Sequence, residues 1–540
     1  MTKSGSQVTS WILLVNIVQL AVGLISPSLN KRDSGTKSKP IAVTPSQNFK
    51  GNDGPWSTFV LQIGNPPQDV EVFASTASYQ TIAILPGGCR SSDGPTCNAD
   101  RGALFTPNSS TTWKPNTIVP NSTFTLNLDS NLGYNDNGLY GYDTVQLGWQ
   151  GSGGPSLDQQ IVAGIETKDF FLGMFGLNPR PTNFSTFNVQ KPSYMSTLRD
   201  RGYIPSLSWG YTAGNQYRPG SVLGSLTLGG YDAGRFIPSD VSFEFNAIDE
   251  NDLTVIIKNI SVQGAGTSSS GGGLLSHGYP VGIHALIDST TPYIWFPDSL
   301  CKYFEEAFGL SWDDAVQAYL INDTLHQELQ AQNANVSLTL GSPNSDGSVD
   351  IVLPYGAFDL NADFPLPQSR YFPLMRATNS SQYTLGRTFL QEAYVIADYE
   401  RRKFSVHQSQ WPVKPEKVVA IKSPSDKLSN AAIAGAVIGA IAGLTAVGLL
   451  IFMIKKKRRI RKNVKADISE LDTTDLGEHN RQPSGVQEID GQRFLGLEID
   501  GTKLPGHEID GHNYHGVELG DTVRQVELDG KQDMKHEMPA

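Results

Sequence analysis

Two segments of this sequence share one shape. Val70-Glu71-Val72-Phe73-Ala74-Ser75-Thr76-Ala77-Ser78 is an apolar strand that runs into a turn of small residues, and His284-Ala285-Leu286-Ile287-Asp288-Ser289-Thr290-Thr291 is another. The copies differ at one chemically decisive place. The second turn opens on the carboxylate of Asp288, the first on the hydroxyl of Ser75.

The rest of the chain agrees with a turn-rich β protein. It holds 54 Gly and 32 Pro, and apolar residues at 39% are enough for a packed core. A formal net charge of −11 argues against a nucleic-acid partner. No Cys/His cluster has metal-ligand spacing, so neither metal nor other cofactor is expected.

Residues 1–25 read as a secretory signal: Lys3, an apolar stretch from Trp11 to Ile25, and small residues at Ala21-Val22-Gly23. Lys31-Arg32 is either a dibasic processing site or a solvated basic pair. A second apolar run, Ala431 to Ile454, carries no charge and is long enough to span a bilayer. The basic cluster Lys455-Lys456-Lys457-Arg458-Arg459 follows it and places the C-terminus in the cytosol. Gly435, Gly439 and Gly443, four apart, either pack two helices together or simply belong to an Ala/Gly-rich span.

The sequons at Asn108, Asn121, Asn183, Asn259, Asn322, Asn335 and Asn379 all precede that run, as expected of a glycosylated ectodomain. Cys89 and Cys97 are close together in an oxidising compartment and are expected to pair. Cys301 is left over, as a buried thiol or an intermolecular bridge. These features predict a single-pass type I protein of the plasma membrane.

Residues 26–52 read as irregular and propeptide-like, and 409–430 as a stalk. Trp56 to Gly64 alternates like a strand, Asn65-Pro66-Pro67-Gln68 is a turn, and Asp69 to Phe73 returns. Asp298 to Ile321 is a helix candidate capped by Asp298, with Leu300, Tyr303, Phe304, Ala307 and Phe308 at helical spacing. Gly264 to Gly273 and Gly341 to Gly347 read as surface loops. The tail, 455–540, is polar and acidic, a composition that favours disorder. It repeats Glu-Ile-Asp-Gly at Glu488, Glu498 and Glu508 and degenerately at Glu518 and Glu527, as linear motifs for a cytosolic partner or as neutral repeat expansion.

From about Trp56 to Val406 the chain resembles the pepsin-like aspartic peptidases. The resemblance rests on the two strand-turn units, which match the family's duplicated Asp-Thr/Ser-Gly signature, and on several further matches. These are the opening hairpin Phe59 to Phe73, Gly138 to Val145 after the flap, Gly173-Met174-Phe175-Gly176-Leu177 and Thr384-Leu385-Gly386 beside the active strands, Gly220 to Asp232, and the closing strands Phe389 to Val406. It implies an all-β bilobal acid-protease fold with minor helices and a peptide-binding cleft between lobes 53–205 and 206–408.

In that family two aspartates share a proton, and one of them activates water. Here Asp288 stands at the second position and Ser75 at the first, where a hydroxyl is no base. Ala77 and Thr290 stand where the family has Gly. Thr76 and Ser289 keep the hydroxyls that would brace the loops across the lobes, Thr291 keeps one near Asp288, and Tyr134 is the nearest match to the flap tyrosine.

The expectation is an inactive pseudoprotease that binds a peptide or protein in the interlobe cleft. The alternatives are an active endopeptidase, which needs a replacement carboxylate near Ser75 and has only Asp69 nearby on the strand, and a glycosylated adhesion or scaffold protein. A serine mechanism would need a histidine, and His284 lies on the strand, short of the turn.

Overall fold

The structure, a computed structural model, describes residues 38–424, apart from 135, 185–189, 249–250, 265–277, 342–346 and 364–365, together with residues 447–459. The chain divides into two compact units, Met1–Gly443 and Leu444–Ala540.

The first unit carries the duplicated architecture. A nine-stranded sheet forms the N-terminal lobe and a seven-stranded sheet the C-terminal one. Gln68–Ser75, the strand ending at the first turn, is paired in parallel with Gly173–Gly176, register Ser75 to Gly176. Ile283–Ile287, ending at the second turn, is paired in parallel with Thr384–Leu385, register Ile287 to Leu385. The neighbours close in on the turns with Leu177 N–H donating to Ser75 O (2.9 Å) and Asp288 N–H donating to Leu385 O (3.1 Å). Each lobe therefore presents one turn at the end of a strand that is flanked by a parallel neighbour. The close approach explains the glycines: a Cβ on Gly176 would lie 2.6 Å from Gln80 N, and one on Gly386 2.4 Å from Tyr293 O.

A six-stranded antiparallel sheet underlies both lobes. Its order is Ile41–Val43, Val222–Leu228, Ser208–Asn215, Ala393–Asp398, Lys403–Gln408 and Phe243–Glu244. Strands of early, middle and late sequence thus share one layer, and the apolar core runs from Phe59 and Val72 through Trp209 to Val395 and Val406 without a break.

Five points differ from the sequence reading. The segment before Trp56 is not irregular throughout: Ile41–Val43 joins the six-stranded sheet and Pro45–Lys50 pairs with Trp56–Ile63. The helix from Asp298 stops at Phe308, because Gly309 adopts φ 67° and closes it in the left-handed conformation; Trp312–Asp313 and Ala318–Leu320 then form short strands. Asp298 is the first helical residue rather than the cap, which is Pro297. A further helix, Asp323–Gln332, was not anticipated, although Asn322 caps it by accepting from Leu325 N–H at 2.9 Å. Past 408 the chain is still part of the unit, since Val418–Ala420 pairs with Gly230–Asp232.

In the second unit residues 447–459 are helical, with the apolar side chains of Leu449 to Ile454 exposed. Among the described residues no helix is long and apolar enough to cross a membrane. The expected signal segment, the dibasic site, most of the loop from Gly264, most of the Ala431–Ile454 run and the tail repeats lie outside the described residues.

Candidate active site between the lobes

The two turns meet at the lobe interface and are tied by reciprocal bonds. Thr76 N–H donates to Ser289 Oγ (2.9 Å) and Ser289 N–H donates to Thr76 Oγ1 (3.0 Å). Ser289 Oγ–H then donates to Ala74 O at 2.7 Å, and Thr76 Oγ1–H to Ile287 O at 3.3 Å. All of these atoms are buried, so each bond satisfies a backbone group that water cannot reach.

Ser75 is fully buried. Its Oγ lies 2.7 Å from Thr290 Oγ1 and accepts from Ser78 N–H at 2.9 Å. The first half-site is therefore a closed hydroxyl pair. Asp288 is 1% exposed; its Oδ1 accepts from Thr290 N–H at 2.8 Å. Its Oδ2 is sealed from solvent, with no donor among the described residues. Thr291 turns to its own loop and accepts from Tyr293 N–H at 3.4 Å.

The group facing Asp288 is a carboxyl, but not one from the first turn. Asp129, on a loop of the N-terminal lobe, is within hydrogen-bonding contact of Asp288, and its own Oδ2 is likewise sealed and without a donor. Burial above all, then the charge of Asp288, holds the Asp129 carboxyl well above the usual carboxylate range; Arg387 opposes this. Asp69 is not the replacement: it accepts from Gln62 Nε2 on the opening hairpin, 3.0 Å away. His284 is exposed on its strand and takes no part in the site.

Arg387 is the second residue that sequence reading missed. It follows Gly386 and is 2% exposed. Nη1 donates to Ser289 O (3.0 Å) and Thr290 O (2.6 Å), and Nη2 to Asp53 Oδ2 (2.8 Å). Its guanidinium lies over Phe73 at 4.6 Å and Trp56 at 5.0 Å. One side chain thus fastens the second turn to the start of the N-terminal lobe. Its position directly after the Leu-Gly of the flanking strand was the available signal. For Asp129 there was none beyond an Asn/Asp-rich stretch.

Tyr134 packs on Phe170 with ring centroids 5.2 Å apart, and burial raises its hydroxyl pKa. Together with Phe170, Thr290, Thr291, Tyr293 and Arg387 it borders a cavity of about 340 Å³ beside the turns. The Cys89–Cys97 disulfide is present, and Cys301 is a buried free thiol. Of the sequon asparagines, Asn108, Asn121, Asn183, Asn259, Asn322 and Asn379 are exposed and Asn335 is half-buried. Among the described residues no group of His, Cys, Asp and Glu could hold a metal ion.

The model of the eukaryotic aspartyl protease family matches residues 58–409. Similar proteins include a probable aspartic-type endopeptidase, opsB, of Aspergillus oryzae, 22% identical over 69% of this chain and 72% of its own length. Secreted aspartic protease 4 of Candida albicans is 21% identical over 50% of this chain and 58% of its own. The aspartic proteinase yapsin-3 of Saccharomyces cerevisiae is 28% identical over 19% of this chain and 23% of its own. With two lobes, two turns and a match that spans most of the chain, this protein belongs to the eukaryotic aspartyl protease family.

Proposed function

We propose that this protein is a membrane-anchored pepsin-like domain that has lost peptide hydrolysis and binds a peptide or protein ligand in its interlobe cleft at the cell surface. One observation carries the reading: Ser75 Oγ is engaged with Thr290 Oγ1 at 2.7 Å and with Ser78 N–H, at the position where the chemistry needs a carboxylate. Hydrolysis requires one carboxyl as base for the water and one as acid for the peptide carbonyl. A serine hydroxyl bonded to a threonine hydroxyl serves as neither. Losing an acid–base partner costs about 10²–10⁴ in rate. The pair that braces the lobes, Thr76 and Ser289, is intact, so the cleft keeps its shape while the chemistry goes. The uncharged run Ala431–Ile454 and the basic cluster after it support the anchor, a plasma-membrane address and a cytosolic tail able to meet a partner.

A specific observation favours a second reading. Asp129 pairs with Asp288, so two carboxyls do share one site, and they would form the acid–base pair of an aspartic endopeptidase such as the relatives are named for. We rank it second because Asp129 comes from a loop over the turns, and both unpaired oxygens are sealed from the water they would have to activate. Adhesion or scaffolding through the glycosylated exterior is a third reading, in which the cleft is idle.

The deciding experiment is cleavage of a peptide library by the purified full chain from pH 3 to 7, read by mass spectrometry, with Asp288→Ala and a pepstatin-type inhibitor as controls. No cleavage, with peptides retained on the wild-type chain, is the expected result. Cleavage abolished by both controls overturns it; dependence of that cleavage on Asp129 as well establishes the second reading. Neither cleavage nor peptide retention leaves the third.

A further inference from the structure

The loop that carries Asp129 is built to sit in the cleft. Its neck is closed by Leu126 N–H donating to Asp136 O at 2.9 Å. Leu126 and Leu128 are buried in the apolar cluster of Ile82, Tyr140 and Phe184. Asn127 and Asp129 adopt φ of 49° and 52°, a conformation that Asn and Asp tolerate better than most residues. Leu132 N–H donates to Asp129 O (2.9 Å) and Gly133 N–H to Ser130 O (3.2 Å), which turns the tip tightly.

The tip is latched to the opposite lobe. Asn131 Nδ2 donates to Ser381 O at 2.6 Å, and Gln382 Nε2 donates to Asn131 O at 2.7 Å. A loop of one lobe is therefore bonded to a loop of the other across the cleft, with Asp129 on the cleft floor. The cavity beside it, about 340 Å³, holds a side chain or two.

Carboxyl groups hold this loop at two places. Asp129 faces Asp288. At the neck, Asp136 faces Asp169, and Asp136 Oδ2 is sealed, with no donor among the described residues. At the Asp129–Asp288 contact, where an oxygen of each carboxyl is sealed, two ionised carboxylates cannot rest together and one shared proton satisfies both; at the neck Asp169 is exposed to water, so that contact is the weaker. Two cations lie nearby. Arg387 is committed to Asp53 and to two carbonyl oxygens, and Lys168, beside Asp169, pairs with Asp93. Tyr134 and Tyr293 remain neutral, their hydroxyl pKa values raised by burial.

We infer that the Leu126–Tyr134 loop is an internal occupant of the cleft, held down chiefly by the proton shared between Asp129 and Asp288, and that it lifts to admit a peptide as the pH rises. The inference rests on the reading that the cleft is a binding site, and it makes binding weakest in acid. The carboxyls of Asp129 and Asp169 are both held above their ordinary value, in each case by burial first and the facing carboxyl next. Stability from a carboxyl raised in this way is fully present in acid and is lost as pH rises through the higher value. Each proton released weakens closure up to about tenfold per pH unit.

Hydrogen–deuterium exchange of the full chain from pH 4 to 7, corrected for intrinsic rates, tests this without any peptide. Protection of residues 126–134 falls with pH in the wild type, while that of strand Trp56–Ile63 stays level and certifies the fold. Asp129→Asn, whose amide donates to Asp288 without a shared proton, keeps the loop protected to pH 7; Asp129→Ala frees it throughout. A flat wild-type profile, or one that Asp129→Asn leaves unchanged, overturns the inference. Either result stands apart from the cleavage assay, which reports on chemistry and not on the loop.

Discussion

Ser75 Oγ and Thr290 Oγ1 lie 2.7 Å apart, each on its own lobe's turn and neither open to solvent. One stands at the family's first aspartate position, the other where the second turn has its glycine. These two departures from the family pattern are therefore one feature. A threonine side chain at 290 reaches across the lobe interface and fills the space opposite Ser75, and Ser75 in turn caps the N–H of Ser78. The same reach explains why the glycine position tolerates a side chain: its hydroxyl has a partner.

That pairing sets a measurable coupling. Ser75→Ala leaves both the Thr290 hydroxyl and the Ser78 N–H without a buried partner and is expected to cost about 1–3 kcal/mol. Thr290→Val removes the other half. A double-mutant cycle by chemical denaturation should return a coupling of about 0.5–3 kcal/mol. Additive single effects would show that the two hydroxyls do not hold each other.

Arg387 is expected to be among the most costly single positions. Replacing it by Met leaves Asp53 half-buried without its cation and removes two donors from the carbonyls of Ser289 and Thr290. Breaking a buried pair from one side costs about 3–5 kcal/mol. Asp53→Asn, which keeps an acceptor for Nη2, should cost clearly less. Thermal melts of the two variants side by side check the order.

Cys301 should be chemically silent. It is 0% exposed, and burial pushes its thiol up to about 12. The thiolate is the reactive form, so at pH 8 neither alkylation nor intermolecular bridging should occur in the folded chain. Labelling with iodoacetamide before and after unfolding decides it. Rapid native labelling, or a dimer lost on reduction, would revive the intermolecular bridge that the odd cysteine count left open.

The two lobes were legible because each rests on a local pattern that occurs twice: an apolar strand, a small-residue turn and an apolar-apolar-Gly neighbour. Ser75 and Asp288 were legible for the same reason. Ile41–Val43 and Val418–Ala420 were not, because their partners, Val222–Leu228 and Gly230–Asp232, lie far away in sequence and a short polar-flanked strand carries no period of its own. The helix after Phe308 was overextended because apolar residues keep recurring past Gly309, while the backbone at that glycine turns left-handed. Asp129 was invisible for a further reason. Nothing in Asn127-Leu128-Asp129-Ser130 says that its loop folds back on the turn of the other lobe; only the tertiary bonds from Asn131 to Ser381 and Gln382 do.

His407 sets a limit on stability in acid. It is buried in the six-stranded sheet, stacked on Phe236 with ring centroids 4.5 Å apart, and burial lowers its pKa to about 4. The bonds agree with a neutral ring. Ser239 N–H donates to Nδ1 at 3.1 Å, so that nitrogen keeps its lone pair and Nε2–H donates to Ser405 Oγ at 2.8 Å. Protonating Nδ1 would set two donors against each other. The unfolded chain takes up this proton near the ordinary value of 6.5, the folded chain only near 4. Folding is therefore unaffected by this residue above 6.5 and loses stability as pH falls from 6.5 toward 4, by about 3 kcal/mol in all. His407→Gln loses the ring stacking and is expected to be less stable at pH 7, yet its stability should fall less between pH 6.5 and 4. Urea titrations of both proteins across that range measure the two slopes; equal slopes would show that His407 titrates alike in the folded and unfolded chain.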